Sequence, residues 1–541
     1  MTVLIEHIGE LPVFEKEHED RRMDKNMRQW LLPLVLRGDK EMVLLYDREH
    51  PEWSINAVYA VAQEMRDAGW KVDMNPAAKV VISDIRHGKK REDSKISIER
   101  DSIYKEEFTH ILVTAIERDA SDIHIEVRLD SADVRLSIPG GKTSIKKLTP
   151  SFASSMVRYL YQWQGSGSKG SAEGYYKGDI EPQRARMEFP TPRGTAELRV
   201  QITPVFPEGG IDMVTRILLV RSASYYQKLS VARSLDDLGY LPEDQKNIWM
   251  AVNLPNGLLL LVGVVNSGKS TTVANLLRAL IHRTKQRIKV VTLEDPAETE
   301  IIGASQITVE KMRLGLEKSG VTENLDSRMY AEGIKIALRM DMDKLFIGEI
   351  RGAEMASPLT DVIRSGHYTF ATLHAGSAVE AFGRLWNLGL DITDLASPSF
   401  VNLIVYQKLV SALCPHCKVR DDTFPEELEP HRQDILRWYA HQGVAPDFYR
   451  RNAAGCEHPK CNGGVSSRKL IAETFFVTDA LREVLLERNL IRLRQAWITG
   501  GGRPVAHHGL IRVGSGEVDM QDLILEGVRW PDLLEWVHYA R

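Results

Sequence analysis

A glycine-rich stretch that could wrap a phosphate group lies near the middle of the 541-residue chain. Its residues, Gly263-Val-Val-Asn-Ser-Gly-Lys-Ser270, have the spacing G-x-x-x-x-G-K-[ST] of a phosphate-binding loop. Its backbone N–H groups can surround the anion, and the N-terminus of a following helix adds positive potential. We expect Lys269 to reach the β- and γ-phosphates of ATP and the Ser270 hydroxyl to hold Mg²⁺. The expected nucleotide-binding residues of this stretch are Gly263, Asn266, Ser267, Gly268, Lys269, Ser270 and Thr271.

Carboxylates that could serve a bound triphosphate follow two predicted short strands, Lys289–Leu293 and Lys344–Ile347. They are Glu294, Asp295 and Glu298 after the first strand and Glu349 after the second. Ligands of parallel α/β sheets lie beyond the carboxyl ends of the strands, so we expect all four to converge on the γ-phosphate. The aspartate that commonly holds the metal is replaced by Gly348. We therefore expect the first cluster to contact the metal and Glu349 to orient the attacking water. Either cluster alone is also typical of a solvated loop.

Two histidines bracket another predicted strand, Tyr368–Leu373. His374 follows the strand and could donate to the phosphate, whereas His367 precedes it and could serve packing. On position alone, a histidine at the end of a strand favours a structural role.

The cysteines of the chain form two close pairs that suit a metal. They are Cys414 and Cys417 in the first pair and Cys456 and Cys461 in the second. Four thiolates on two such turns are typical of a tetrahedral structural Zn²⁺ site. So few cysteines cannot form a disulfide scaffold, and they favour a reducing compartment. His416 and His458 are spare candidate ligands, and four unrelated free cysteines remain the alternative.

The segments that must position these residues alternate between strand and helix over residues 236–405. Leu258–Val265 is a continuous apolar run that leads into the phosphate loop, and a helix is predicted to follow as far as about Ile281. The alternation predicts a parallel sheet with crossover helices. Residues 103–220 are predicted to be α+β, and the charged run Arg86–Arg100 is predicted to be a linker.

Composition excludes several classes of protein. Hydrophobic residues make up 43% and charged residues 27% of the chain, which argues against a disordered chain. The formal net charge of −4 argues against a nucleic-acid coat protein. No apolar run approaches the length of about 18 residues that a membrane span needs. The first residues lack a readable secretory signal, so a cytosolic location is expected.

Taken in order, the motifs resemble the ATPases that power type II secretion and type IV pilus assembly. The matching stretches are the phosphate loop, Glu-Asp-Pro-Ala-Glu298, Ile-Gly-Glu-Ile-Arg351, Ser365–His374 and Gln407-Lys-Leu409. The resemblance implies an α/β fold with a RecA-like P-loop ATPase core, a PAS-like α+β domain before it, and hexameric rings. The resemblance covers roughly residues 103–541, and residues 1–90 lie outside it. We expect an N-terminal α+β domain of unclear role at 1–90, the PAS-like domain at 100–222, the RecA-like domain at 236–407, and a zinc element with C-terminal helices at 408–541.

The resemblance also implies roles for individual residues. Arg199 and Arg216 lie in segments similar to two arginine-bearing strands of the family, so they are candidate arginine fingers beside Glu349 and His374 in the catalytic set. A guanidinium can neutralise charge that develops on the γ-phosphate. Assembly-type members of the family carry a tetracysteine metal element, which retraction-type relatives generally lack. The usual Arg-Asp after the catalytic glutamate is Arg351-Gly352 here.

Together with the motifs, the resemblance implies an ATP-hydrolysing hexameric motor at the cytoplasmic face of the bacterial inner membrane that powers type IV pilus assembly. Its expected ligands are ATP, magnesium and zinc. Its expected partners are further copies of itself, a polytopic inner-membrane platform protein and other components of pilus or secretion machinery, with no direct contact to nucleic acid. The alternatives are a type II secretion ATPase, a pilus-retraction or conjugation-type relative, a DNA translocase, and a nucleotide-binding scaffold that does not hydrolyse ATP.

Overall fold

The computed structural model describes part of the chain. The described residues are 14–17, 27–36, 41–47, 50, 54–77, 79–86, 91–162, 171–172, 176, 178, 180–192, 194–206, 208–221, 232–309 and 324–528. They form two compact units. The first comprises Met1–Ile111 with Ser155–Leu160, and the second comprises Leu112–Ser154 with Tyr161–Arg541, as far as these ranges are described.

The first unit contains a four-stranded sheet in the order β1-β2-β3-β4. The strands are β1 (Phe14–Glu17), β2 (Leu31–Leu36), β3 (Glu41–Tyr46) and β4 (Lys71–Pro76), and the helices are α1 (Met27–Trp30), α2 (Ile55–Asp67) and α3 (Lys79–Arg86). Helix α2 buries Val58, Ala62 and Met65, which lie at helical spacing along one face. These side chains pack with Leu31 and Leu44 of the sheet in one apolar cluster.

A 27-residue helix, α4 (Arg91–Glu117), follows. Its first ten residues are the part of the charged run where the sequence predicts a linker. Arginine, glutamate and lysine have high helix propensity, so a dense run of charges is as compatible with a helix as with an extended linker. The charge pattern alone therefore could not distinguish the two.

The second unit begins with a seven-stranded antiparallel sheet in the order β7-β6-β5-β11-β10-β9-β8. Its strands are β5 (Asp122–Val127), β6 (Ala132–Ile138), β7 (Gly141–Leu148), β8 (Ser171–Ala172), β9 (Gln183–Thr191), β10 (Gly194–Val205) and β11 (Gly210–Arg221). Helix α5 (Pro150–Gln162) follows β7, and its residues Ser155–Leu160 belong to the first unit. Strand β6 buries every second residue, from Ala132 to Ile138. The residues between them are half-buried, so one side of this strand faces the packed side of the sheet and the other is only partly covered.

The second sheet of this unit has the order β14-β13-β15-β16-β12-β17-β20. Its strands are β12 (Gly257–Val262), β13 (Val290–Glu294), β14 (Ala304–Thr308), β15 (Lys344–Ile347), β16 (Tyr368–Leu373), β17 (Val401–Leu413) and β20 (Val465–Phe476). All neighbours are parallel except β17 and β20. Every residue of β12 is buried, as expected of a central strand covered on both faces. The α/β class with a parallel core sheet is thus confirmed, and the antiparallel edge strand β20 was not foreseen.

Helices cover this sheet and continue towards the C-terminus. They are α6 (Pro242–Val252), α7 (Lys269–Arg283), α8 (Leu325–Ala337), α9 (Ala356–Arg364), α10 (Ala378–Asn387), α11 (Ile392–Leu395), α12 (Arg432–His441), α13 (Asp479–Leu486), α14 (Leu490–Thr499), α15 (Val505–Gly514) and α16 (Met520–Leu525). A two-stranded ribbon, β18 (Val419–Arg420) with β19 (Tyr449–Arg450), lies in the cysteine region. None of the described helices combines the length and the apolar character that a membrane crossing requires.

Candidate nucleotide-binding site

A cavity of about 380 Å³ opens at the carboxyl ends of the parallel strands. Most of the residues that the sequence singled out line it: Asn266, Ser267, Gly268, Lys269, Ser270, Thr271, Glu294, Asp295, Glu298, Glu349, His374 and Arg216. Among the described residues, Gly263 and Arg199 are not part of this lining. The lining also includes Ser121, Tyr330, Arg351, Thr372 and Arg468, to which the sequence analysis gave no role.

The two glycines of the phosphate loop are required by its geometry. Gly263 has a φ of +151°, and a Cβ there would lie 2.3 Å from the Gln407 carbonyl oxygen and 2.7 Å from Ser267 Oγ. Gly268 has a φ of +87° and directly precedes helix α7. Side chains at these two positions would therefore be strained. Glycine is needed both where the loop begins, at Gly263, and where it leads into the helix, at Gly268.

Lys269 is buried at the start of α7 and folds back over the loop. Its Nζ donates to the carbonyl oxygens of Gly263 at 2.9 Å and Val264 at 2.8 Å. Burial lowers the pKa of the ammonium group to about 8, although Glu349 and Glu298 oppose this shift. A phosphate oxygen can replace these carbonyls as the acceptor, and it would supply a full negative charge to a poorly solvated cation.

Glu349 makes contacts through both carboxylate oxygens. Its Oε2 accepts a hydrogen bond from Arg351 Nε at 2.8 Å, and its Oε1 lies 3.2 Å from His374 Nε2. The other ring nitrogen of His374, Nδ1, lies 3.1 Å from the carbonyl oxygen of Gly263. His374 therefore connects Glu349 to the first residue of the phosphate loop. His367, in contrast, contacts Ser365 Oγ at 2.9 Å and does not belong to the lining described above.

The first acidic cluster is divided between two environments. Glu294 is buried and accepts hydrogen bonds from Thr292 Oγ1 at 2.6 Å and Gln306 Nε2 at 3.0 Å. Burial raises the pKa of its carboxyl group. Asp295 instead accepts from Arg351 Nη1 at 3.3 Å. Arg351 thereby joins the first acidic cluster to Glu349.

Gly348 has little space around it. A Cβ at this position would lie 3.1 Å from both the Leu293 carbonyl oxygen and Tyr330 Oη. The metal-binding carboxylate that many phosphate-loop enzymes have here is thus missing, and the backbone is close to the neighbouring strand. The Ser270 hydroxyl and the carboxylates of Asp295 and Glu298 line the cavity instead, and they are the hard oxygen ligands that suit Mg²⁺.

Arg216 and Arg199 lie directly opposite each other on β11 and β10. Opposed residues of an antiparallel pair share one face of a sheet, so both side chains belong to the same face. Arg216 lines the cavity, and its Nε donates to Asp122 Oδ1 at 2.8 Å. Arg199 is exposed one strand further from the cavity. Within one chain, the structure brings only the first of the two to the phosphate loop.

The four cysteine sulfurs form one cluster. The Sγ atoms of Cys414 and Cys456 are 3.9 Å apart, those of Cys417 and Cys461 are 3.8 Å apart, and all four lie within 4.8 Å of one another. Four thiolates around a tetrahedral zinc ion with bonds of about 2.3 Å would be separated by about 3.8 Å. The donor set and its size therefore fit Zn²⁺.

The cysteine region contacts the antiparallel sheet through the turn between β6 and β7. Asn462 Nδ2 donates to the Pro139 carbonyl oxygen at 2.9 Å, and Thr143 Oγ1 donates to Asn462 Oδ1 at 3.2 Å. Lys460 Nζ lies 3.2 Å from Asp119 Oδ2. A second cavity of about 480 Å³ adjoins these contacts and shares Ser121 and Arg468 with the first cavity. Residue types and spacing gave no signal for these contacts, because they join segments more than 300 residues apart.

Comparison with known proteins gives consistent matches. The family described as type II/IV secretion system protein matches residues 98–525. The type IV pilus assembly ATPase PilB of Pseudomonas aeruginosa is 28% identical over 420 residues, which cover 76% of this chain and 65% of that protein. PilB of Thermus thermophilus is 25% identical over 519 residues, covering 92% of this chain and 53% of that protein. The type II secretion system ATPase E of Vibrio cholerae is 28% identical over 415 residues, covering 76% and 73%.

The chain thus spans 65% and 53% of the lengths of these two pilus assembly relatives. Among solved structures, the ATPase DotB of Legionella pneumophila is similar with a TM-score of 0.50 and 19% identity. That similarity covers 76% of this chain and 94% of the DotB chain, and it concerns the fold.

Proposed function

The chain belongs to the type II/IV secretion system protein family, and on this premise we propose that it is an ATP-hydrolysing motor that powers type IV pilus assembly. The observation that carries the proposal is that Glu349 and the phosphate loop share one cavity and are connected through His374. A group that orients water therefore lies next to a group that holds phosphate. This is the arrangement that hydrolysis of a triphosphate requires.

In the proposed reaction, Lys269 and the loop N–H groups bind the β- and γ-phosphates of ATP. Glu349 orients a water molecule and takes its proton as the water oxygen bonds to the γ-phosphorus and the bond to the β,γ-bridging oxygen breaks. His374 and Arg216 offset the charge that develops on the transferred phosphoryl group. Ser270, Asp295 and Glu298 would hold Mg²⁺, which when bound neutralises phosphate charge.

We further propose that the motor is a homo-hexamer at the cytoplasmic face of the inner membrane, where it acts on a polytopic platform protein and other machinery components. Zinc bound by the four thiolates would stabilise the C-terminal element. We propose no role for residues 1–90. The relation to pilus assembly ATPases over 92% of this chain supports the choice of pilus assembly.

The second candidate is a type II secretion ATPase, because the Vibrio cholerae relative is as similar in identity, at 28%, as the Pseudomonas aeruginosa PilB. Deletion of the gene in its source bacterium separates the two. Loss of surface fibres supports pilus assembly, whereas loss of an exported protein with intact fibres supports secretion. Retraction and conjugation-type motors rank lower, because the resemblance associates the tetracysteine cluster with assembly-type members.

Steady-state phosphate release from the purified protein tests the catalytic part. The Glu349→Gln variant should lose turnover and keep ATP binding, because it removes the proton acceptor and leaves the phosphate loop intact. A nucleotide-binding scaffold would show no turnover to lose, and it would contradict the proposal. Stimulation of turnover by DNA would favour a translocase instead. Light scattering with and without nucleotide measures whether six chains assemble.

A further inference from the structure

A buried tyrosine contacts the phosphate loop indirectly. Tyr240 is 2% exposed, and its hydroxyl lies 2.6 Å from Gln407 Oε1 and 3.2 Å from Thr272 Oγ1. Gln407 Nε2 in turn donates to the carbonyl oxygen of Ser267 at 2.7 Å. Ser267 belongs to the phosphate loop, and Thr272 belongs to the helix that follows it. The sequence analysis assigned no role to Tyr240.

Counting donors fixes the direction of these hydrogen bonds. The Ser267 carbonyl can only accept, so the amide nitrogen of Gln407 must face it. The amide oxygen then faces Tyr240, which must donate its single proton to it, and the Thr272 hydroxyl donates to the tyrosine oxygen. Burial also raises the pKa of the Tyr240 hydroxyl, so the proton stays on it. Without that hydroxyl, the buried amide oxygen of Gln407 would lose its partner and the amide could rotate away from the loop.

The segment that carries Tyr240 is attached to helix α7 at two points, and the contact of Tyr240 with Thr272 is the first. The backbone N–H of Arg233 donates to Asn275 Oδ1 at 3.0 Å, and Asn275 is three residues beyond Thr272 on α7. The backbone of the same segment is held from the other side, because Arg512 Nη2 donates to the Gly239 carbonyl oxygen at 2.6 Å. The segment is therefore fixed against both α7 and α15. If the segment moved, the hydrogen bond from Tyr240 to Gln407 would change, and with it the contact of Gln407 with the loop.

We propose that Tyr240 is a positioning residue that, through Gln407, holds the phosphate loop in the conformation that binds nucleotide. The proposal rests on the function proposed above. According to this proposal, the segment that precedes the ATPase sheet affects nucleotide affinity through Gln407, although the segment itself does not touch the nucleotide.

A matched control exists elsewhere in the same unit. Tyr439 is 1% exposed, and its hydroxyl donates to the Leu510 carbonyl oxygen at 2.6 Å. It packs in the apolar cluster that does not contain Tyr240. Tyr439→Phe therefore removes an equally buried hydrogen bond of equal length, made to α15 and not to Gln407 or to the phosphate loop. Both single variants should lower the midpoint of thermal unfolding by similar amounts.

The test measures the affinity of the full-length protein for a fluorescent ADP analogue and for ATP, together with kcat and KM. Tyr240→Phe should weaken nucleotide binding and raise KM by about threefold to tenfold, in line with the loss of one buried hydrogen bond, with a smaller change in kcat. Tyr439→Phe should leave affinity unchanged. Gln407→Met should weaken binding at least as much as Tyr240→Phe, and Tyr240→Phe should add nothing in the Gln407→Met background.

Each outcome decides a different question. If the unaltered protein binds no nucleotide, the proposed function and this inference both fail. If it binds, but Tyr240→Phe matches Tyr439→Phe, only this inference fails. Additive losses in the double variant would also overturn it, because Tyr240 would then not act through Gln407. If Tyr240→Phe does not fold, Gln407→Met decides alone, and unchanged nucleotide affinity in that variant would refute the proposal.

Discussion

Arg351 donates from its Nε to Glu349 Oε2 at 2.8 Å, so the residue that completes the Ile-Gly-Glu-Ile-Arg motif holds the proposed catalytic carboxylate directly. Its Nη1 reaches Asp295 at 3.3 Å on the neighbouring strand end. One guanidinium thus holds two carboxylates that would otherwise repel each other. Gly352 follows where the family usually has an aspartate, and a Cβ there would lie 2.7 Å from Ser327 Cβ. Arg351 is therefore held by Glu349 and Asp295, with Asp326 Oδ2 also 3.9 Å from its Nη1.

Replacing Arg351 with Met should lower kcat by at least about tenfold, because Glu349 and Asp295 lose the cation that fixes them relative to the loop. KM should change less, because Lys269 and the loop are untouched. Steady-state phosphate release measures both constants. Arg364→Met is the control, because it removes a surface pair with Asp394 outside the cavity lining. Equal losses in the two variants would contradict a specific role for Arg351.

Nucleotide affinity should fall as pH rises through about 8, the value to which burial lowers the pKa of Lys269. Above that value the lysine is neutral in the nucleotide-free protein, and binding of phosphate has to restore its proton. Titration of nucleotide affinity between pH 7 and pH 9.5, a range of about 2.5 pH units, measures the effect. A Lys269→Arg variant stays charged, so its affinity should be weaker but nearly independent of pH across this range. An equally steep pH dependence in that variant would show that another group titrates.

The same shift has a consequence for stability. The folded-state pKa of Lys269 is about 8 and its ordinary value is 10.5, so the unfolded chain binds more protons between these pH values. The cost of burying the charged lysine is therefore present below pH 8 and is relieved as pH rises towards 10.5. The contribution of Lys269 is isolated by comparison with Lys269→Met. The unfolding free energy of the unaltered protein should rise relative to that of the variant over this range.

Arg216→Gln should lower kcat more than Arg199→Gln in the isolated protein. Arg216 lines the cavity of its own chain, whereas Arg199 lies one strand away and is exposed. We expect a loss of at least about tenfold for Arg216→Gln, the lower range for a cation that neutralises phosphoryl charge. Nucleotide affinity and kcat, measured on both variants, separate binding from catalysis. If Arg199→Gln proved the more severe variant, a site completed by a neighbouring chain would be the better account.

Removal of zinc should destabilise the C-terminal element. A Cys417→Ser/Cys461→Ser double variant, or treatment with a chelator, should remove one bound zinc ion per chain and lower the midpoint of thermal unfolding by several degrees, because metal binding contributes directly to folding. Elemental analysis and differential scanning fluorimetry measure the two quantities. Ser411→Ala offers a control on strand β17 that leaves the thiols intact. A protein that contains no zinc and keeps its stability after chelation would refute the assignment.

The sequence predicted best where a motif and a strand signal coincide. Tyr368–Leu373 is rich in aromatic and β-branched residues, which predicts a strand, and it forms β16 over the same residues. The loop, the acidic residues after β13 and Glu349 all reach one cavity, because the carboxyl ends of parallel strands share one edge of a sheet. Local periodicity and spacing were enough for these residues.

The sequence predicted poorly where the position of a residue depends on distant pairing. Strand β20 contains the polar stretch Ser466-Ser-Arg-Lys469 directly after its first residue, Val465. That stretch lacks a strand pattern, and its pairing with β17 defines the strand. Arg468 reaches the cavity through that pairing, and Ser121 reaches it from the antiparallel sheet. Arg468 lies in no motif, and Ser121 lies in the stretch Ala120–Glu126, which resembles the opening motif of the family's PAS-like domain and gave no sign of a contact with the cavity. Tyr240 was missed for the same reason, since its importance derives from Gln407, which lies 167 residues further along the chain.

The hydrogen bonds of Asn462 extend the influence of the sulfur cluster beyond the C-terminal element. Asn462 follows Cys461 directly and holds the Pro139 carbonyl and the Thr143 hydroxyl of the antiparallel sheet. Arg216 belongs to this same sheet and reaches the nucleotide cavity from it. Zinc bound by the four thiolates would therefore steady, through Asn462, the edge of the antiparallel sheet as well as the C-terminal element.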